Sequence, residues 1–282
     1  MCIRDRVSSA LLSAKLNGIR KSNGGCRVLG CGGVIRRMVY KQVAKELHCT
    51  LRQWCSDRQF GLHRDGCGRM FRYIEALFQS RPGVVVVSSD QTDAYSHVNR
   101  MGAIQAGHSC CLEVAVVLRA LLSKESYHVL QDHHGIKFLR QNNGFDQGCN
   151  MSSAGYCVSS NAALLAGQAA AQAADPLAEG VSFIDDTYFI GLPHAAAAGW
   201  RAYQQKLCED LQVRENQSKR KCILGEGVNV ADLPRELAWC VVSSMNVVGA
   251  HMDCARADRM PVPSPGGLIG SPVRDGPSAC LL

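Results

Sequence analysis

Two adjacent carboxylates, Asp185 and Asp186, stand inside an otherwise apolar and aromatic run, Phe-Ile-Asp-Asp-Thr-Tyr-Phe-Ile-Gly (183–191). Ionised carboxylates are costly to bury unless positive charge lies beside them. The run therefore either breaks at an exposed turn or carries a pair of charges that a cation neutralises. The short apolar stretches on either side form a hairpin pattern joined through the pair. Taken alone, the pair reads as a solvated turn, because Asp-Asp occurs by chance about once in a chain of this size.

A second stretch bears on the choice. Gly-Val-Val-Val-Val-Ser-Ser-Asp (83–90) is β-branched, follows a Pro-Gly, and reads as a buried strand ending at Asp90. If that strand and the 183–191 hairpin share one sheet, three carboxylates converge on one edge. Such an oxygen-rich set suits Mg²⁺ held together with substrate phosphates. Two such ions can activate a hydroxyl nucleophile and stabilise a leaving pyrophosphate.

The rest of the chain is mixed. Residues 34–47 have helical periodicity, with Ile35, Val39, Val43 and Leu47 on one face and Arg36, Arg37, Lys41 and Lys45 elsewhere. Helices are also expected over 66–78, 94–106 and 108–122, and after Pro193. A long Ala-rich helix opens at 146–153 and ends before Asp175-Pro176. Residues 18–30 read as a basic, Gly-rich turn leading into one short strand, 127–140 as a strand pair, and 245–253 as another hairpin. This order predicts an α+β fold rather than a βαβ array.

Composition sets bounds. The 282 residues suffice for one large domain or two small ones, and no apolar run approaches the roughly 18 residues that span a bilayer. The net charge of +7 is compatible with a polyanionic partner without demanding one. Fifteen cysteines in a long chain without an N-terminal apolar signal read as reduced thiols. Cys26, Cys31, His48, Cys49, Cys55, His63 and Cys67 leave open a zinc-stabilised module over 26–67, although no paired C-x2-C knuckle occurs. The opening Met-Cys-Ile-Arg-Asp-Arg-Val-Ser resembles translated sequencing-adapter sequence, so the chain is expected to be truncated upstream.

Seven segments, in order, resemble the sequence blocks of reverse transcriptases, especially those of non-LTR retrotransposons. They are Lys-Ser-Asn-Gly-Gly-Cys-Arg-Val-Leu-Gly with the helix after it (21–44), Arg-Gln-Phe-Gly-Leu-His-Arg-Asp-Gly (58–66), and Ser-Ser-Asp-Gln-Thr-Asp-Ala-Tyr-Ser-His-Val-Asn-Arg (88–100). Asp-Gln-Gly-Cys-Asn-Met-Ser-Ser (146–153), Phe-Ile-Asp-Asp (183–186), Glu-Asn-Gln-Ser-Lys-Arg-Lys (215–221) and Met-Asn-Val-Val-Gly-Ala-His-Met-Asp (245–253) complete the set. Together they span about residues 15–253.

The resemblance implies a right-hand polymerase of fingers and palm, with an antiparallel palm sheet flanked by helices. Residues 1–14 would be an artefactual or disordered N-terminus, 15–82 the fingers, and 83–225 the palm with a fingers insertion. Residues 226–256 would form a primer-grip hairpin and the start of a thumb, and 257–282, rich in Pro, Gly and Ser, a linker or tail. The implied reaction is RNA-templated DNA synthesis within a retrotransposon polyprotein. The implied partners are an RNA template, a DNA or RNA primer and dNTPs, with no membrane, in the nucleus or cytoplasm. Oligomeric state is left open.

Roles follow by position. Asp90 and Asp185 would hold two Mg²⁺ ions, or Mn²⁺ in their place, with Asp186 supporting the site more loosely. Lys219 would face the triphosphate and protonate pyrophosphate. Lys21 and Arg27 would clamp the phosphates, and Gln147 and Gly148 would lie over the incoming nucleotide. Tyr95, five residues after Asp90, would leave no room for a 2′-hydroxyl and so select deoxynucleotides. Two blocks depart from the family: Gln147-Gly148 continues as Cys149-Asn150-Met151-Ser152-Ser153, where Asp-Pro-Leu-Ser-Pro is usual, and Arg27-Val28-Leu29 replaces Arg-Pro-Ile. A catalytically silent nucleic-acid-binding protein and an RNA-dependent RNA polymerase remain alternatives.

Overall fold

The computed structural model describes residues 12–20 and 24–253 of the chain. Lys21, most of the expected artefactual N-terminus and the 257–282 tail lie outside the described residues. The chain enters through a hairpin, β1 (Ala14–Arg20) and β2 (Cys26–Gly32), paired antiparallel from Ala14 opposite Gly32 to Arg20 opposite Cys26. The sequence alone predicts a turn and a single strand here; the structure has two strands. β1 is polar and largely exposed, so it carries no apolar alternation. Its extended state comes from pairing with β2 on one side and with β4 (Ser126–Asp132) on the other, the latter in parallel.

Helix α1 (Val34–Trp54) runs seven residues past the expected end and presents a different face. Tyr40, Val43, Ala44, Leu47 and Leu51 pack on the core, but Val34, Ile35, Met38 and Val39 stay exposed while Arg36 is buried. The apolar pattern is overruled in the first two turns by an ion pair. The Arg36 guanidinium donates to Asp146 Oδ2 at 2.6 Å and to the Leu12 carbonyl at 2.6 Å.

Helix α2 (Gly66–Ser80) precedes β3 (Val85–Ser89). The single helix expected over 94–106 is two, α3 (Ala94–His97) and α4 (Arg100–Cys110). Asn99 divides them as an N-cap, its side-chain oxygen accepting from the amides of Met101 at 2.9 Å and Gly102 at 3.1 Å. Helix α5 (Leu112–Leu122), the β4–β5 hairpin with β5 at Gly135–Gln141, and the long α6 (Asn150–Ala174) follow. Then come β6 (Glu179–Phe183), β7 (Asp186–Gly191), α7 (Pro193–Leu211), β8 (Lys221–Leu224), α8 (Arg235–Ala238) and the hairpin β9 (Ser244–Val247) with β10 (Ala250–Asp253).

Two four-stranded sheets result. The outer one has order β2-β1-β4-β5, and the central one β6-β7-β3-β8 with every neighbour antiparallel. The central strands are buried on both faces, so alternate residues serve two cores. Val85, Val87 and Phe189 face the core shared with α6 and α7, while Val86, Tyr188 and Ile190 face Phe60, Met70 and Ile74 and the β9–β10 hairpin. The fold is mixed α/β with antiparallel sheets and flanking helices, as the alternation of signals implied.

Candidate active site

Register brings the three aspartates to one end of the central sheet. Ser89 lies opposite Thr187, so Asp90 leaves β3 beside Asp186, the first residue of β7. Phe183 pairs with Asp186, which leaves Ile184 and Asp185 as a two-residue turn. Ile184 has φ +60 and Asp185 does not, the pattern of a type II′ turn. That conformation suits glycine; for a β-branched residue it costs on the order of 1–3 kcal/mol.

The cost is met by the Gln59-Phe60-Gly61 segment. Gln59 Oε1 accepts from the Ile184 amide at 3.0 Å and from the Gly61 amide at 3.1 Å. The Ser182 amide donates to the Arg58 carbonyl at 2.9 Å. A Cβ on Gly61 would lie 2.7 Å from Ile184 Cγ1, so only glycine lets the two loops approach.

A second loop delivers Lys219. Residues 214–216 extend antiparallel to Asp90–Thr92, with the Asn216 amide on the Asp90 carbonyl and the Thr92 amide on the Arg214 carbonyl, both at 2.9 Å. Lys219 Nζ then donates to Asp90 Oδ2 at 3.1 Å. Glu215 fixes the loop from beneath: it accepts from Trp200 Nε1 at 3.0 Å and Arg220 Nε at 2.9 Å and pairs with a second Arg220 nitrogen. The Arg220 guanidinium stands 3.8 Å over the Trp200 ring and 5.0 Å from that of Trp239.

Burial pushes the Asp185 carboxyl above the ordinary carboxylate range and Asp90 adds to the rise, while Arg27 and Lys219 oppose it. For Asp186, burial again leads, followed by Asp185 and Asp90, and the carboxyl is pushed up to about 6. The end of the sheet is thus a desolvated site with more negative than positive charge. Among the described residues, no three His, Cys, Asp or Glu side chains stand close enough to form a finished metal cage. The three aspartates share one sheet end without forming a preformed three-carboxylate cage, and Asp90 there pairs with the Lys219 ammonium. The same observation leaves the Cys and His residues of 26–67 without a preformed zinc site. The donor set at the sheet end nonetheless fits a hard divalent cation: its donors are carboxylate oxygens, two of them with raised proton affinity that a cation would relieve.

Tyr95 is half-buried beside these carboxylates. Its hydroxyl lies 3.1 Å from Ser153 Oγ, its ring centroid 5.5 Å from that of Tyr156, and burial holds the phenol protonated. Arg27 is exposed on β2, and its charge reaches Asp185. Gln147 and Gly148 seat against the outer sheet: the Gly30 amide donates to the Gln147 carbonyl at 2.9 Å, and a Cβ on Gly148, at φ +121, would stand 3.2 Å from the Gly30 carbonyl oxygen. Asp146 anchors that loop, holding Arg36 on one oxygen and His128 Nε2 at 2.7 Å on the other.

Sequence reasoning assigned no role to Gln59, Asp146, Glu215 or Arg220. All four lie in the family-like segments 58–66, 146–153 and 215–221. Their partners are distant in sequence or buried, and such pairings leave no periodic trace.

No protein-family model and no curated protein matches the chain. Solved structures do. Apo telomerase from Candida tropicalis, truncated from its C-terminal domain, aligns with a TM-score of 0.61 at 14% identity over 89% of this chain and 55% of that one. Telomerase from Candida albicans in complex with the TWJ fragment of telomeric RNA aligns with a TM-score of 0.61 at 12% identity over 86% of this chain and 45% of that one. The chain shares the telomerase fold. It spans about half the length of the telomerases it matches. At these identities the likeness to telomerase lies in the course of the backbone. No helix among the described residues is long and apolar enough to cross a membrane.

Proposed function

We propose that the chain is the fingers and palm of an RNA-directed DNA polymerase, of the kind carried by non-LTR retrotransposons. One observation carries the reading: on a fold shared with telomerases, Asp90, Asp185 and Asp186 meet at one sheet end with Lys219 on Asp90. In this reading 15–82 and the outer-sheet insertion form the fingers, the rest of 83–225 the palm, and 226–256 the primer grip and thumb start. The primer 3′-hydroxyl attacks the α-phosphate of a dNTP, and pyrophosphate leaves.

Asp90 and Asp185 would hold Mg²⁺, with Asp186 behind them. Bound there, the metal would neutralise phosphate charge and make the hydroxyl more acidic. Lys219 is exposed and needs only to exchange Asp90 for a triphosphate oxygen, to which it can give a proton. Arg27, with Lys21, would grip the outer phosphates. The seat of Gln147-Gly148 against Gly30 keeps that loop's backbone where a nucleotide could lie on it. Tyr95 would close the space beneath the sugar.

The partners in this reading are an RNA template, a primer and dNTPs, and a telomerase of this fold is solved with an RNA fragment. The retrotransposon assignment rests on the seven sequence blocks alone. The test is primer extension on an RNA template with a DNA primer and Mg²⁺, offering dNTPs and rNTPs separately, with Asp185→Asn alongside. Extension with dNTPs, lost in the variant, supports the reading. Salt-sensitive RNA binding without extension assigns a silent relative, and preference for rNTPs assigns an RNA-dependent RNA polymerase.

A further inference from the structure

We infer that Gln59 is a positioning residue for the catalytic turn: its side-chain oxygen holds the Ile184 amide and so aims Asp185 and Asp186. This rests on the polymerase reading of those carboxylates.

Gln59 is 1% exposed and sits on a segment tied down on several sides. The Gln59 amide donates to the Ser56 carbonyl at 2.8 Å, and the Ser56 amide to Asn161 Oδ1 on α6 at 2.9 Å. Arg58 pairs with Glu179 of β6 through two bonds of 2.8 and 3.1 Å, and its guanidinium lies 4.7 Å from the Tyr73 ring of α2. The clamp is therefore fixed to three elements before it meets the turn.

Only the oxygen of the Gln59 amide is used. It takes two amide protons, Gly61 and Ile184, while Nε2 has no partner among the described residues. A buried donor left unpaired is unfavourable, and a methionine of similar length would avoid it. The glutamine is explained by what its oxygen holds. A type II′ turn favours glycine at its first loop position, where φ is positive. Isoleucine there gains nothing from its own backbone preference, so the turn must be held from outside. If the Ile184 amide is released, the backbone relaxes toward negative φ, and the next two residues are the carboxylates.

The test uses Gln59→Met, Ile184→Gly and the double variant in the full chain. In primer extension Gln59→Met is expected to lower kcat by about 10- to 100-fold, with KM for dNTP within about twofold, as a misplaced reacting group does. Mn²⁺ binding, followed by electron paramagnetic resonance of the free ion, is expected to weaken by about tenfold. In the Ile184→Gly background the same substitution is expected to change kcat by less than about threefold, since glycine holds the turn unaided. Equal losses in both backgrounds, or no loss in either, overturn the inference. Melting of the four proteins reads the clamp without catalysis. Gln59→Met is expected to lower Tm by about 2–6 °C with isoleucine at 184 and by clearly less with glycine there, and additive shifts overturn the inference. Failure of the polymerase reading is distinct: the unmodified chain then neither extends a primer nor binds Mn²⁺, whatever the melting cycle shows.

Discussion

Lys219 Nζ donates to Asp90 Oδ2 at 3.1 Å across 129 residues of sequence. Both side chains keep solvent contact, at 55% and 33% exposure, so the pair contributes only about 0–1 kcal/mol to stability. In the proposed reading its use is to keep an ammonium at the sheet end that carries the aspartates. Lys219→Met is therefore expected to leave urea unfolding within about 1 kcal/mol of the unmodified chain. Primer extension should fall by about 100-fold or more if the lysine acts as general acid. A large stability loss, or full activity, contradicts this role.

Asp186 binds its proton near 6 in the fold and near 4 in an unfolded chain. The folded state therefore holds the extra proton between these values. The carboxyl favours the fold below about pH 4, and that advantage is lost as pH rises through about 6. Asp186→Asn removes the cost of ionisation and should stabilise the chain at pH 7.5 by up to about 3 kcal/mol, with little difference at pH 4. Urea melts at the two pH values measure this. The variant should gain stability while losing extension, and an effect equal at both pH values contradicts the burial argument.

Burial would raise the Asp146 carboxyl, but the hydrogen bond with His128 and the Arg36 guanidinium outweigh it and hold the group below its usual range. Its stabilising contribution is complete above the unfolded value near 4 and is lost as pH falls through the depressed value. Asp146→Ala strands a buried arginine and should cost about 3–5 kcal/mol at pH 7. The cost should shrink as acidification carries the unmodified chain through that depressed value and removes its ionised carboxylate. Chemical unfolding over a descending pH series from pH 7 compares the two.

Gly144 has φ +72, and a Cβ there would stand 2.3 Å from the Tyr95 carbonyl oxygen. Gly227 has φ +78 and nothing within 4 Å of the same position. Gly227→Ala should then cost only the backbone strain of about 1–2 kcal/mol, and Gly144→Ala at least about 3 kcal/mol. The second change also displaces α3, which carries Tyr95, so dNTP selectivity should shift only there. Thermal melts and competition between dNTP and rNTP test both parts.

Tyr95 is held by Ser153 and Tyr156 rather than by the carboxylates beside it. In the proposed reading Tyr95→Val opens the space beneath the sugar and should raise the rNTP-to-dNTP incorporation ratio by about tenfold or more. An unchanged ratio with a lower rate assigns the ring to packing alone.

How much of this was legible beforehand differs from one element to the next. β3 and the β6–β7 hairpin were readable because four consecutive valines and the apolar runs flanking Asp185-Asp186 have no other way to leave water. The long α6 and α7 announced themselves by composition and by Pro193. β1 was not readable, since a polar strand is a property of its neighbours. The face of α1 was misread because one buried ion pair outweighs four apolar side chains left in water.

By itself, then, the sequence determined that the valine run of β3 and the apolar runs of the β6–β7 hairpin must be buried, and that three carboxylates stand at their ends. Local hydrophobic pattern and turn chemistry act over a few residues and can be read without the fold. Only the tertiary structure decided that Asp90 meets Lys219, that Gln59 reaches Ile184, and that Asp146 turns Arg36 inward. Those pairings join residues about a hundred or more positions apart, and no local preference encodes a contact that exists only once the two sheets are in register.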